Sequence, residues 1–167
     1  MKAKDYNNQK IKTWRIIKLG TGLKTAADFR KALKEADCRT NSSVDMIIAQ
    51  PGFQVSSEKK DVELVVVSVA ELGFKKAATL SKIYKQVKKL GLDLCPNEVG
   101  PQLRLQYRDQ SVGGWLTIGM KPINGSDGDK HIFIVSTDFH GYPRLFTKLC
   151  SGELYQTDSR LVFLNRN

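Results

Sequence analysis

Val62-Glu63-Leu64-Val65-Val66-Val67-Ser68-Val69 is the run on which the fold turns. It is dense in β-branched valine and bounded by polar residues. A run of that kind reads as a strand buried at the centre of a sheet. Upstream, 13–19 (TWRIIKL) reads as another strand, because Trp14, Ile16 and Ile17 are β-formers, and Gly20-Thr21-Gly22 breaks it. A helix starts at Thr25, where Thr25 and Asp28 form a capping-box pair, and it carries Phe29, Ala32, Leu33 and Ala36 on its apolar face. Asn41-Ser42-Ser43 caps a short second helix ended by Pro51-Gly52, and 53–56 reads as a brief strand. Downstream of the valine run, Leu80, Ile83, Tyr84, Val87 and Leu90 make one apolar stripe of a helix over 79–90. Thr79 is its N-cap and Gly91 its terminating glycine.

The stretch 92–107 opens a short helix at Pro96, which Gly100-Pro101 interrupts. Beyond it, the sequence predicts strands at 115–121, 131–137, 144–149 and 160–164. Turn-forming clusters around Asn124-Gly125, His140-Gly141 and Ser151-Gly152 separate them. Helices thus gather in the first half and strands in the second. The expected fold class is α+β: a helix-rich N-terminal half packed on a C-terminal antiparallel β-sheet. The expected organisation is a flexible basic tail over 1–12 and a single α+β domain over 13–167.

The net charge of +10 is unevenly placed. Residues 1–40 hold eleven Lys/Arg against four acids, and 75–91 hold six lysines and no acid. Residues 92–167 balance at eight against eight. Charge gathered in this way creates a field that attracts anionic partners. Cys38, Cys95 and Cys150 are odd in number and form no CxxC, which suits buried thiols of a reducing, cytoplasmic compartment. The basic start lacks the apolar stretch of a secretory signal, and no transmembrane segment is expected.

SVAELGF (68–74), LGLDLCPNEVGPQLRLQY (90–107), and then Trp115-Leu116 and Pro122-Ile123 before Ser126-Asp127-Gly128-Asp129 make a connected pattern. It resembles a recurrent core of uncharacterised bacterial proteins. The resemblance spans about 62–135, implies a bacterial origin, and carries over no catalytic residue. The basic N-terminus lies outside it.

Lys75, Lys76, Lys82, Lys85, Lys88 and Lys89 form the main candidate site, with Arg30, Lys31 and Lys34 on the first helix extending it. Lysines on one face neutralise phosphates and release counterions, giving salt-sensitive binding; the plainer alternative is a solvated helix face. Arginine and aromatic residues are not interleaved with these lysines, which argues against base reading. Trp14, Trp115, Tyr107 and Phe133 read as core. The Gly20–Thr25 turn could offer backbone amides to a phosphate, although it matches no P-loop.

Asp127, Asp129 and His131 come nearest to a metal site. However, they lack the downstream Glu of a calcium loop and the further His or Cys that zinc needs, so neither metal nor cofactor is expected. His140 with Asp138 and a cysteine, or Glu71 and Glu98 as acids, would suit a hydrolase or nuclease only if the fold gathered them in a cleft between the helical half and the sheet. The expected function is therefore non-catalytic binding of an anionic partner, nucleic acid or an acidic protein, through the lysine-rich surface. The alternatives are that hydrolase or nuclease, or a bacterial effector acting as an interaction module.

Overall fold

The computed structural model describes residues 11–166 and places the valine run between two other strands. In chain order the elements are β1 (Arg15–Leu19), α1 (Ala26–Glu35), β2 (Arg39–Thr40), α2 (Ser42–Ile48), β3 (Lys60–Ser68), β4 (Ala78–Thr79), α3 (Leu80–Lys89) and β5 (Leu92–Asp93). They continue with α4 (Val99–Gln106), β6 (Trp115–Ile118), β7 (Ile123–Asn124), β8 (Lys130–Thr137), β9 (Pro143–Leu149), β10 (Leu154–Tyr155) and β11 (Arg160–Asn165). Most of the expected tail over 1–12 lies outside the described residues. Of its last two positions, Ile11 packs partly on the core, and its carbonyl accepts from Asn165 Nδ2 at 3.3 Å.

The expected helix-rich half on an antiparallel sheet is overturned. Among the described residues 33% are strand and 22% helix, and the main sheet is mixed. Its order is β1-β3-β11-β6-β8-β9-β2, with β5 on β11 and β7 on β8. The valine strand β3 lies between β1 and β11, so the first and last described strands flank it in one sheet. Among the described residues, two strand pairings are parallel, β11 with β6 and β2 with β9, as is the isolated bridge of Cys95 to Met120. The cause is long-range: strands from the first half find partners in the last, and helices fall on both faces.

Cross-strand register fixes those faces. Ile134 pairs with Thr117 and Thr117 with Leu161, so Phe163 faces away from Phe133. Helix α4 packs on the Phe133 face, where a Cβ at Gly100 would stand 2.6 Å from Phe133 Cγ. Phe29 of α1 reaches the same face through edge-on contacts from Phe29 to Phe53 and from Phe53 to Phe133. Helix α3 covers the other face, with Tyr84 edge-on to Phe163.

The capped helices form where the sequence predicts. Thr25 and Asp28 make a complete capping box, and Asn41 and Thr79 cap α2 and α3. Gly91, at φ 78°, supplies the left-handed residue after α3. Residues 53–56 form no strand. Gly100-Pro101 does not interrupt α4, because both lie in its first turn, where a missing proline N–H costs no helical bond.

Two buried charged groups knit this side together. Glu98 accepts from the Gly20 and Ser56 amides at 2.9 and 2.8 Å and from Gln102 Nε2 at 3.2 Å. Arg104, 1% exposed, donates to Gln110 Oε1 and the Ser136 carbonyl, both at 2.7 Å, and to the Tyr107 carbonyl.

Candidate functional site

Helix α3 presents its lysines because its other side is committed to the core. Ile83 and Val87 are buried, and Leu80, Tyr84 and Leu90 pack against the same cluster. Lys75, Lys76, Lys82, Lys85, Lys88 and Lys89 are all exposed. Among the described residues none of them is in an ion pair. The Arg166 side chain first, then its charge and that of Lys88, hold the Asp93 carboxyl below its ordinary range.

Lys85 and Lys88 also line an open pocket of about 500 Å³ beside α3. Leu80, Tyr84, Leu94, Pro122, Leu149 and Tyr155 make it apolar, and exposed Lys130 adds a third cation. Glu153 is its acid, paired with Lys148 at 2.9 Å. The Tyr84 hydroxyl is pinned, donating to the Met120 carbonyl at 2.6 Å and accepting from the Met120 amide at 3.0 Å. Burial pushes the Tyr84 and Tyr155 phenols upward and the Cys150 thiol up to about 11. These three groups are therefore neutral at pH 7. The lining can hold an amphipathic anion, but it presents no activated thiolate.

The first-helix cations lie elsewhere. Arg30 pairs with Asp45 at 3.1 Å and Lys31 with Glu35 at 3.9 Å. With Lys34 they sit on α1, across the sheet from α3, so the two sets do not form one continuous patch. Arg30 and Lys34 instead line a separate hollow with Arg39 and Tyr142. Three of the six amides of the Gly20–Thr25 turn are taken: Gly20 donates to Glu98, and Lys24 and Thr25 donate to Asp28.

Asp127 and His131 do meet, with Nε2 2.9 Å from Asp127 Oδ2. His131 is 3% exposed, and its Nδ1 lies 3.3 Å from Thr147 Oγ1. Asp129 joins them by its amide, which donates to Asp127 Oδ1 at 3.1 Å. That bond first, and the His131 ring after it, hold the Asp127 carboxyl below its usual range. Among the described residues no three His, Cys, Asp or Glu side chains are placed to hold a metal.

Nor is a hydrolytic set assembled among the described residues. His140 is exposed, Cys38 and Cys95 are buried, and Cys150 lies in the pocket beside α3. Asp138 accepts from the His140 and Tyr142 amides, both at 3.0 Å, and pairs with Arg39 at 3.1 Å. Glu71 and Ser68 bond each other's amides.

One group escapes the sequence reading. Trp115, expected in the core, is 51% exposed, and its ring meets Phe146 edge-on at 4.7 Å. Arg144 lies 5.0 Å from the Phe146 ring centre, and Arg39 lies 3.7 Å from that of Tyr142. The signal was available in Arg144-Leu145-Phe146-Thr147-Lys148, whose alternation sets Arg, Phe and Lys on one side of a strand.

No family model, curated protein or solved structure matches the chain. No helix among the described residues is long and apolar enough to cross a membrane.

Proposed function

We propose that this is a non-catalytic binding protein that holds an anionic partner on the lysine face of α3, with nucleic acid as the first partner. The observation that supports the reading is that the exposed lysines of 75–89 have no ion-pair partner among the described residues. Unpaired lysines are free to displace counterions from phosphates, and the gain is steeply salt-dependent. A second reading, an acidic protein, is favoured by the apolar pocket that Lys85 and Lys88 line, which could seat an apolar side chain next to acidic ones.

Titration with duplex DNA and with RNA at two salt concentrations tests the first reading. Binding at low salt that weakens as salt rises is the expected result. Replacing Lys82, Lys85 and Lys89 together by Gln should lower the log–log salt slope by about 2–3 on duplex DNA. No binding at low salt rejects nucleic acid, and an unchanged slope moves the contact off α3.

A further inference from the structure

The geometry points to a second binding surface: on the sheet face that also carries α3, the Trp115, Phe146, Arg144 and Arg39 side chains of β6, β9 and β2 bind single-stranded nucleic acid, with bases stacked on Trp115 and Phe146. Register aligns this face. Trp115 pairs with Ser136, Ser136 with Arg144, and Arg144 with Arg39, so the four stand side by side across the sheet. The adjacent row on the same face is Thr117, Ile134 and Phe146; Ser136, Thr117 and Ile134 are buried, so the accessible surface is made by Trp115, Arg144 and half-buried Phe146. Lys148, opposite Ile132, continues it.

A tryptophan normally contributes its area to a core. This one leaves half its surface in solvent and is held by Phe146, giving a rigid platform instead of a loose side chain. Tyr142, 42% exposed, carries the Arg39 guanidinium on its ring. Hollows of about 300 Å³ and 330 Å³ flank the pair, the first lined by Arg39, Arg144 and Phe146, the second by Trp115, Lys148 and Arg160. Asp138 and Glu153 are engaged by Arg39 and Lys148, and Asp158 also lines the second hollow. Arg144 and Arg160 have no ion pair among the described residues, which leaves both for phosphates. Aromatic platforms interleaved with arginine are what a single strand needs, because its bases expose π-faces that a duplex hides. The lysine face need not bind anything for this surface to work.

Two titrations decide it, with a homothymidine strand and an oligouridine of about 20 nucleotides, against a duplex of equal length. Trp115 is followed by its fluorescence in a Trp14→Phe background, where it is the sole tryptophan of the two in the chain. We expect a single strand of at least one kind to quench Trp115. Trp115→Ala should weaken single-strand binding about ten- to a hundredfold while leaving duplex binding in place. Arg144→Gln should lower the single-strand salt slope by about 0.7. The Lys82, Lys85 and Lys89 variant should retain the quenching, which separates this surface from α3. Single-strand binding without quenching, an unaffected Trp115→Ala variant, or capture of an acidic protein with no single-strand binding would each overturn the proposal.

Discussion

Glu98 is 1% exposed, yet its carboxylate is spent on hydrogen bonds to amide donors rather than on proton transfer. One oxygen takes the Gly20 amide and Gln102 Nε2, and the other takes the Ser56 amide. It thereby ties the turn after β1 and the loop before β3 to the start of α4. Glu98→Gln keeps the shape but sets an NH₂ against a donor. The variant should lose about 1–3 kcal/mol in urea unfolding, the cost of a buried unsatisfied donor. A loss under about 0.5 kcal/mol would mean that the three bonds carry no stability. At this scale the sequence was least legible. Glu71, Glu98 and Asp138 read as free acids, yet each serves backbone amides. For Glu98 those amides lie 42 and 78 residues away, beyond any local pattern. Trp115 was misread for a similar reason: its apolar neighbours on β6 are buried, but it stands at the uncovered end of the strand.

Elements whose ends are marked locally were legible. α1, α2 and α3 each have a side-chain cap within three residues of the amide it serves. α4 has no side-chain cap, because the Glu98 carboxylate turns to other amides, and its Gly-Pro start imitates a break. Packing holds this helix in place. Val99, Gly100, Pro101, Gln102, Leu103 and Arg104 are all buried, and Gly100 lets the helix backbone settle on Phe133. Gly100→Ala places a methyl against that ring, which Phe53 already confines edge-on at 6.3 Å. Alanine is the better helix former, so propensity alone predicts a gain. Overpacking predicts a loss of about 1–3 kcal/mol, and we expect overpacking to win. Thermal unfolding of Gly100→Ala, alone and with Phe133→Leu, checks this: the second change should recover part of the loss. A more stable Gly100→Ala protein would show that α4 sits less tightly than described.

For the whole molecule, the positions of the longer strands were legible, whereas the two-residue strands β2, β4, β5, β7 and β10, and the partners of all strands, were not. Alternation and β-branching identify a strand, whereas register and neighbour depend on distant loops closing. Hence β3 was expected at a sheet centre and does pair on both sides, while its pairing with β11 has no local sign. The charge pattern was legible in amount and not in arrangement. On α1, Arg30 and Lys31 are neutralised by Asp45 and Glu35. On α3, Lys85 stands three residues from Lys82 and Lys88 and four from Lys89, and no acid intervenes. Like charges at those spacings destabilise a helix. Lys82 adds to the strain in the first turn, where the dipole disfavours cations, whereas Lys88 and Lys89 suit the last turn. A face kept for binding should therefore cost the molecule stability. Lys82→Gln with Lys85→Gln, at nearly equal helix propensity, should raise the melting temperature by about 2–4 °C at about 20 mM salt. Most of that gain should vanish near 0.5 M, where the Debye length falls to roughly 4 Å. Lys89→Gln alone should give little gain or a small loss, because it removes one repulsion and one favourable dipole contact. If the double variant melts no higher than the parent at low salt, the lysines do not repel one another, and the idea that binding is held against stability fails.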